Sequence, residues 1–230
     1  MAFMPPCLRY ARLPAPTFHD GLETLPEAPL ILLANEFLDA LPIRQWVRRG
    51  GAWLERCIAG DAFVECPAPG PDREAEDGAV FERCDPAHAL VAALAARLAS
   101  HGGAALFLDY GPAESSLGDT LQAIRDGRPA NPLADPGSAD LTAHVDFAAL
   151  AHTARQHGAA IHGPIPQGPF LARLGLFQRT GQLARTQPPA RAAGLIAAAQ
   201  RLAEPASMGR LFKAMAICHP SLPTPPGFAP

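Results

Sequence analysis

The chain has no Cys-x-x-Cys pair, no excess of basic charge and no Gly-x-Gly-x-Gly turn. None of its apolar runs approaches the roughly 20 residues that a helix needs to cross a bilayer. Each absence excludes something. The five cysteines (Cys7, Cys57, Cys66, Cys84, Cys218) are scattered, with no histidine at metal-ligand spacing, which argues against structural zinc or a disulfide framework. Reduced thiols in a cytosol-like compartment follow, and the expected location is cytoplasmic. With 19 basic and 22 acidic residues the formal net charge is -3, which gives no electrostatic basis for binding nucleic acid. The N-terminus lacks the apolar core of a signal peptide. Arg9 and Arg12 precede the first acid, Asp20, as in a transit peptide, but Pro5, Pro6, Pro14 and Pro16 interrupt any amphipathic helix, so no targeting signal is expected.

What is present is an ordinary globular composition, 48% hydrophobic over 230 residues, punctuated by 26 prolines. Short strands are expected at Ala15–His19 and Leu30–Ala34. Ile43–Val47 and Ala52–Ala59 flank Gly50-Gly51, which supplies the positive φ of a hairpin turn, and Ala62–Cys66 adds a third strand. Pro67–Gly78 is a solvated loop. Asp85-Pro86 opens a helix, with Asp85 as cap, that runs to about Ser100 and stops at Gly102-Gly103. Ala104–Leu108 is a second buried strand. Pro112–Ala143, full of turn residues, is expected to be one long loop. Asp146 caps a helix to Gln156, Ala159–His162 is a strand, Gln167–Leu183 and Pro189–Leu202 are helices, and Leu211–Cys218 is the last strand. This alternation predicts an α/β sheet with helices on its faces, into which the hairpin at residues 43–66 is inserted.

One stretch carries most of the chemistry. Leu30-Ile31-Leu32-Leu33-Ala34 is all apolar and ends abruptly in Asn35 and Glu36, with Asp39 three residues on and Pro42 closing it. A run of this kind predicts a buried parallel strand whose carboxyl end delivers polar side chains into a crevice, where open α/β sheets bind ligands. Capping of a short helix near Phe37 is the alternative for Asn35 or Glu36. It does not account for Glu36 and Asp39 together.

The run Asn35-Glu36-Phe37-Leu38-Asp39-Ala40-Leu41-Pro42, followed by Ile43-Arg44-Gln45, resembles the MidA family. Further matching motifs follow in order. They are Leu108-Asp109-Tyr110-Gly111, Gly118-Asp119-Thr120-Leu121-Gln122, Asp135-Pro136-Gly137, Asp140–Phe147, Gln167-Gly168 and Met208–Lys213. The resemblance covers about residues 15 to 218. It implies a class I methyltransferase with a Rossmann-like sheet, S-adenosyl-L-methionine as cofactor and protein arginine as acceptor. It further implies a protein partner such as a respiratory complex I subunit, and the mitochondrial matrix in a eukaryote. Members of that class need a Gly-rich turn after their first strand, and none occurs here. The expectation is therefore an incomplete sheet that starts at the family's third strand, Ala15–His19, with the first two strands missing. Residues 1–14 would be a remnant, residues 15–218 a partial domain and residues 219–230 a Pro-rich tail. Poor stability and weak cofactor binding would follow, with an exposed strand flank open to a further chain or to oligomerisation. A non-catalytic fragment or a protein-interaction or assembly module is the second reading.

Roles follow from the resemblance. Glu36 and Asp39 would be the catalytic carboxylates, orienting a guanidinium beside the cofactor's sulfonium. Asn35 would contact the cofactor's amino-acid end or the acceptor, and Asp20 the adenine amino group. For Asp20, a turn-forming role before Gly21 is the alternative. Tyr110 and Gln122 are candidates for the acceptor channel, with half-buried packing the alternative for Tyr110. His144 is expected to be a structural filler, Asp146 an N-cap and Lys213 a snorkelling surface residue. No metal is expected.

Overall fold

The computed structural model describes residues 16–229. Its first elements are β1 (Leu30–Asn35), β2 (Arg44–Arg49), β3 (Ala52–Ala59), β4 (Ala62–Pro67), β5 (Val80–Arg83) and α1 (Asp85–His101). Then come β6 (Gly103–Tyr110), β7 (Gln122–Arg125), β8 (Arg128–Ala130), β9 (Asp140–Thr142), α2 (Phe147–Gln156) and β10 (Ala160–Pro166). Helices α3 (Gln167–Arg173), α4 (Leu176–Ala184), α5 (Pro189–Ala203) and α6 (Met208–Leu211) precede the last strand, β11 (Phe212–Cys218).

The all-apolar run forms β1, which pairs in parallel with β6. Strand β11 lies antiparallel to β6 and β10 antiparallel to β11, so the main sheet runs β1-β6-β11-β10. Side chains alternate across a strand, which splits β1 into two sets. Leu30, Leu32 and Ala34 join the core with Phe107, Met215 and Ile217 from the neighbouring strands. Helix α1 covers this face with Val91, Leu94 and Leu98, and α2 with Phe147, Leu150 and Ala154. The other set, Ile31 and Leu33, is 83% and 77% exposed. Helices α3 and α6 lie against β10 and β11, while among the described residues nothing pairs with the outer edge of β1. Replacing Ile31 by lysine is therefore expected to change stability by less than about 0.5 kcal/mol, as for other surface positions. Urea unfolding of the two forms measures this, and reduced self-association of the variant in sedimentation would show the same face to be adhesive.

The second sheet, β4-β3-β2-β5, contains the predicted hairpin, turned by Gly50 and Gly51 at φ +53° and +84°. Strand β5, absent from the sequence-based expectation, pairs with β2 and closes it. Several other expectations are corrected. Ala15 lies outside the described residues, and residues 16–19 form no strand, so among the described residues the sheet begins at Leu30. Pro112–Ala143 is not one loop. It holds a small sheet, β8-β7-β9, because Asp126 and Gly127, at φ +51° and +71°, make a two-residue Asp-Gly hairpin. Gly175, at φ +88°, divides the expected helix Gln167–Leu183 into α3 and α4. Cys84 rather than Asp85 is the N-cap of α1. The Pro-rich tail packs: the Phe228 ring lies tilted against Phe170 with ring centroids 5.0 Å apart. Cys57, Cys66, Cys84 and Cys218 are free thiols. Among the described residues no helix is long and apolar enough to cross a membrane.

Candidate functional site

At the carboxyl end of β1 the ladder continues one residue further, as the Glu36 amide donates to the Leu108 carbonyl at 2.8 Å. The chain then turns sharply. Glu36 sits at φ +47°, in the left-handed region that non-glycine residues avoid. Such conformations persist only where the surroundings enforce them. The enforcing group is Asp109, one register step from the end of β6 and 1% exposed. Its Oδ2 accepts from the backbone amides of Phe37 (3.2 Å), Leu38 (2.9 Å) and Asp39 (3.3 Å), while Oδ1 accepts from Tyr110 at 2.9 Å. Burial, reinforced by the nearby Asp39 carboxylate, pushes the Asp109 carboxyl up to about 6 against the opposing pull of those amides.

This turn places the candidate residues unequally. Asn35 and Glu36 are exposed on the open side of the sheet, where the Asn35 Nδ2 donates to Glu36 Oε1 at 3.1 Å. Asp39 is buried, its carbonyl accepts from the Ala143 amide at 3.0 Å, and its Oδ1 has no hydrogen-bond partner among the described residues. Tyr110 reaches the same spot. Its phenol is raised to about 12, chiefly by burial, with Asp39 reinforcing the shift and Thr142 and Gln122 opposing it. Asp39, Tyr110 and Gln122 thus meet around one buried phenol, whereas Asn35 and Glu36 lie outside it. Asp20 joins neither group. It is exposed, precedes a one-turn helix at Leu22–Thr24 and makes no hydrogen bond to Asn35, Glu36 or Asp39.

A polar network locks the second sheet onto the segment before β7. The Gln45 Nε2 donates to Glu82 Oε1 (2.6 Å) and Asp119 Oδ1 (2.9 Å), and Arg56 donates to Gln45 Oε1 (3.0 Å) and Asp119 Oδ2 (2.8 Å). The Thr120 hydroxyl donates to Glu82 and accepts from the His144 amide. Gln45, Asp119 and Thr120 lie in motifs that mark the family resemblance, and Thr120 anchors the backbone of His144, whose ring lies edge-on to Tyr110 with centroids 5.7 Å apart. Gly111 completes the arrangement. At φ +155° it lies so close to Val145 that a Cβ would collide with that residue's carbonyl.

Beside the turn lies a cavity of about 460 Å³ between β5, residues 115–120 and the first turns of α1 and α2. Leu38 and Ala143 form part of its wall, whereas none of Asp20, Asn35, Glu36, Asp39, Tyr110 and Gln122 lines it. Sequence reasoning missed Asp109, although the logic applied to β1, an apolar strand ending in an acid, applies equally to β6. Lys213 is also corrected. It is buried rather than snorkelling, and its ammonium donates to the carbonyls of Gly111 (2.8 Å), Arg210 (2.7 Å) and Leu211 (2.8 Å). It ties α6 to the end of β6 and uses all three of its protons in doing so.

Residues 11–165 match the family model described as "Putative S-adenosyl-L-methionine-dependent methyltransferase". The chain is 34% identical over 224 residues to the mitochondrial protein arginine methyltransferase NDUFAF7 homologue of Drosophila melanogaster, covering 87% of this chain and 49% of that protein. To the Homo sapiens protein arginine methyltransferase NDUFAF7 it is 31% identical, covering 87% of this chain and 48% of the relative. The chain thus spans about half the length of the curated relatives it matches. A crystal structure from Burkholderia thailandensis bound to S-adenosyl-homocysteine is similar with a TM-score of 0.73 at 28% identity, over 91% of this chain and 57% of that one. A second structure from the same organism gives a TM-score of 0.74 at 30% identity, over 91% and 59% respectively. The expectation of a cytoplasmic protein does not stand, because these curated relatives are named mitochondrial.

Proposed function

Since this chain belongs to the S-adenosyl-L-methionine-dependent methyltransferase family whose model matches residues 11–165, we propose that it contributes the acceptor-facing wall of a protein-arginine methyltransferase. The cofactor is S-adenosyl-L-methionine, supported by the S-adenosyl-homocysteine bound to the Burkholderia relative. The single observation that carries the reading is the left-handed turn at Glu36, pinned by Asp109 at the carboxyl end of β1. Methyl transfer from a sulfonium is an in-line displacement that depends on positioning and desolvation. Its acceptor here, a guanidinium, stays protonated at neutral pH. Two cations must approach one another, and Glu36 and Asp39 supply the negative charge that offsets their repulsion. Asn35 contacts the cofactor's amino-acid end, and Tyr110 with Gln122 lines the acceptor side next to Asp39.

The described residues offer one side of such a site. Titration of the chain with S-adenosyl-L-methionine is accordingly expected to give weaker than micromolar affinity, with amide shifts in heteronuclear spectra concentrated at residues 35–39. Micromolar one-to-one binding refutes the one-sided site, and shifts confined elsewhere refute its location.

A second reading, a protein-interaction module without catalysis, is favoured by the open edge of β1 and the exposed Ile31 and Leu33. Absence of any cofactor response together with persistent self-association would select it.

A further inference from the structure

The charge of the chain is spread unevenly along it. Of its 19 basic and 22 acidic residues, 8 basic and 1 acidic (Glu204) follow residue 146, leaving 11 basic and 21 acidic before it, so the net charge of -3 divides into +7 and -10. An asymmetry of this kind points to a basic surface with an anionic partner. Six of the eight basic residues belong to α3–α6 and the links between them: Arg173, Arg179, Arg185, Arg191, Arg201 and Arg210. All six are exposed, and none forms an ion pair among the described residues. The arginines nearer the N-terminus behave otherwise, since Arg44, Arg49 and Arg56 are each held by a carboxylate.

The same helices leave apolar side chains uncovered. Helices α4 and α5 pack on each other and α5 also on α3 and α6, yet α4 buries none of its residues and α5 only Ala199. Leu174, Phe177, Leu183 and Ile196 are exposed. Unpaired arginines and uncovered apolar side chains therefore share one helical layer. A nucleic acid would satisfy the charge and leave the aliphatic side chains in water. An anionic bilayer surface satisfies both, because arginines reach lipid phosphates while Phe, Leu and Ile enter the boundary of the acyl chains.

We propose that the α4–α5 layer is a peripheral docking surface for an anionic phospholipid bilayer, held by arginine–phosphate attraction and shallow insertion of Phe177 and Ile196. The proposal does not depend on methyl transfer.

Flotation of the intact chain with vesicles tests it, comparing phosphatidylcholine alone with phosphatidylcholine containing about one third phosphatidylglycerol. Binding to the anionic vesicles about tenfold tighter than to the neutral ones is expected at low salt. Equal binding to both, or binding to neither, overturns the proposal. Arg179→Gln with Arg185→Gln is expected to weaken anionic binding about tenfold. Arg73→Gln with Arg128→Gln removes the same charge from exposed positions in the acidic part of the chain, and an equal loss in that variant overturns the proposal by showing that net charge alone acts. Phe177→Ser is expected to abolish the binding that survives high salt, where attraction between charges is screened, and an unchanged salt-resistant fraction overturns the proposal. If Phe177→Ser does not fold, Ile196→Ser makes the same comparison on α5. A single-stranded oligonucleotide bound more tightly than the anionic vesicles overturns the proposal in favour of nucleic acid. S-adenosyl-L-methionine is absent throughout, so failure here leaves the methyltransferase reading untouched.

Discussion

Asp109→Ala is expected to destabilise the chain by about 2–4 kcal/mol at pH 7, because it leaves the backbone amides it accepts from without their partner, two of them buried. The amides of Leu38 and Asp39 are enclosed, and Phe37 joins them on the same carboxylate oxygen. The loss depends on pH in a defined direction. The folded-state pKa of Asp109, about 6, lies above the ordinary value of 3.8, so between those values the folded chain binds more protons than the unfolded one. Stability contributed by this group is therefore complete below about pH 4 and is lost as pH rises through 6. The wild type should gain about 1 kcal/mol from this residue between pH 7 and pH 5, and the alanine variant should not, so the difference between them widens on acidification. Urea unfolding at the two pH values measures it. Asp109→Asn sharpens the interpretation. It retains one acceptor oxygen for the three amides but turns an NH₂ toward the Tyr110 amide, so it should cost less than alanine and also lose the pH dependence. A difference that narrows toward pH 5 would show that Asp109 is not the titrating group.

The contrast between β1 and Asp109 shows what can be seen in a sequence of this kind. Strand β1 is legible because five consecutive apolar residues ending in polar ones have few other uses, and the hairpin is legible because Gly50-Gly51 provides positive φ where a tight turn demands it. The Asp126-Gly127 hairpin bears the same kind of signal, masked by the surrounding prolines. Strand β5 is too short to show a period, and only its pairing with β2 defines it. Asp109 illustrates a deeper limit. Three of its four partners are amides 70 to 72 residues earlier in the chain, and backbone groups carry no sequence signature. The acids near Glu36 are visible as letters, but the carboxylate that shapes their turn is recognisable only once β1 and β6 lie side by side. The exposure of Ile31 and Leu33 has the same character, since an apolar alternate face reads as buried until the neighbouring layer is seen to be absent among the described residues.

On the arginine-methyltransferase reading proposed above, Glu36→Gln is expected to reduce methyl transfer by about a thousandfold while leaving cofactor affinity within about threefold. Two unit cations ~4 Å apart repel by about 4 kcal/mol at an effective dielectric of ~20, and one carboxylate at a similar distance offsets a comparable amount. That energy corresponds to roughly three powers of ten in rate. The substitution preserves size and hydrogen-bonding reach, and the left-handed backbone at φ +47° is no worse for glutamine than for glutamate, so a loss of activity reports charge rather than fold. Glu36 is exposed among the described residues, which makes the effect sensitive to how completely the bound acceptor and cofactor exclude water from this tip. Transfer of a labelled methyl group to an arginine-bearing peptide, followed at low and at high salt, separates the cases. A large loss that persists at high salt indicates an enclosed carboxylate facing the guanidinium. Turnover that is unchanged at both salt concentrations removes Glu36 from the mechanism and leaves Asp39, buried beside the Tyr110 phenol with an unpaired oxygen, as the carboxylate to test next.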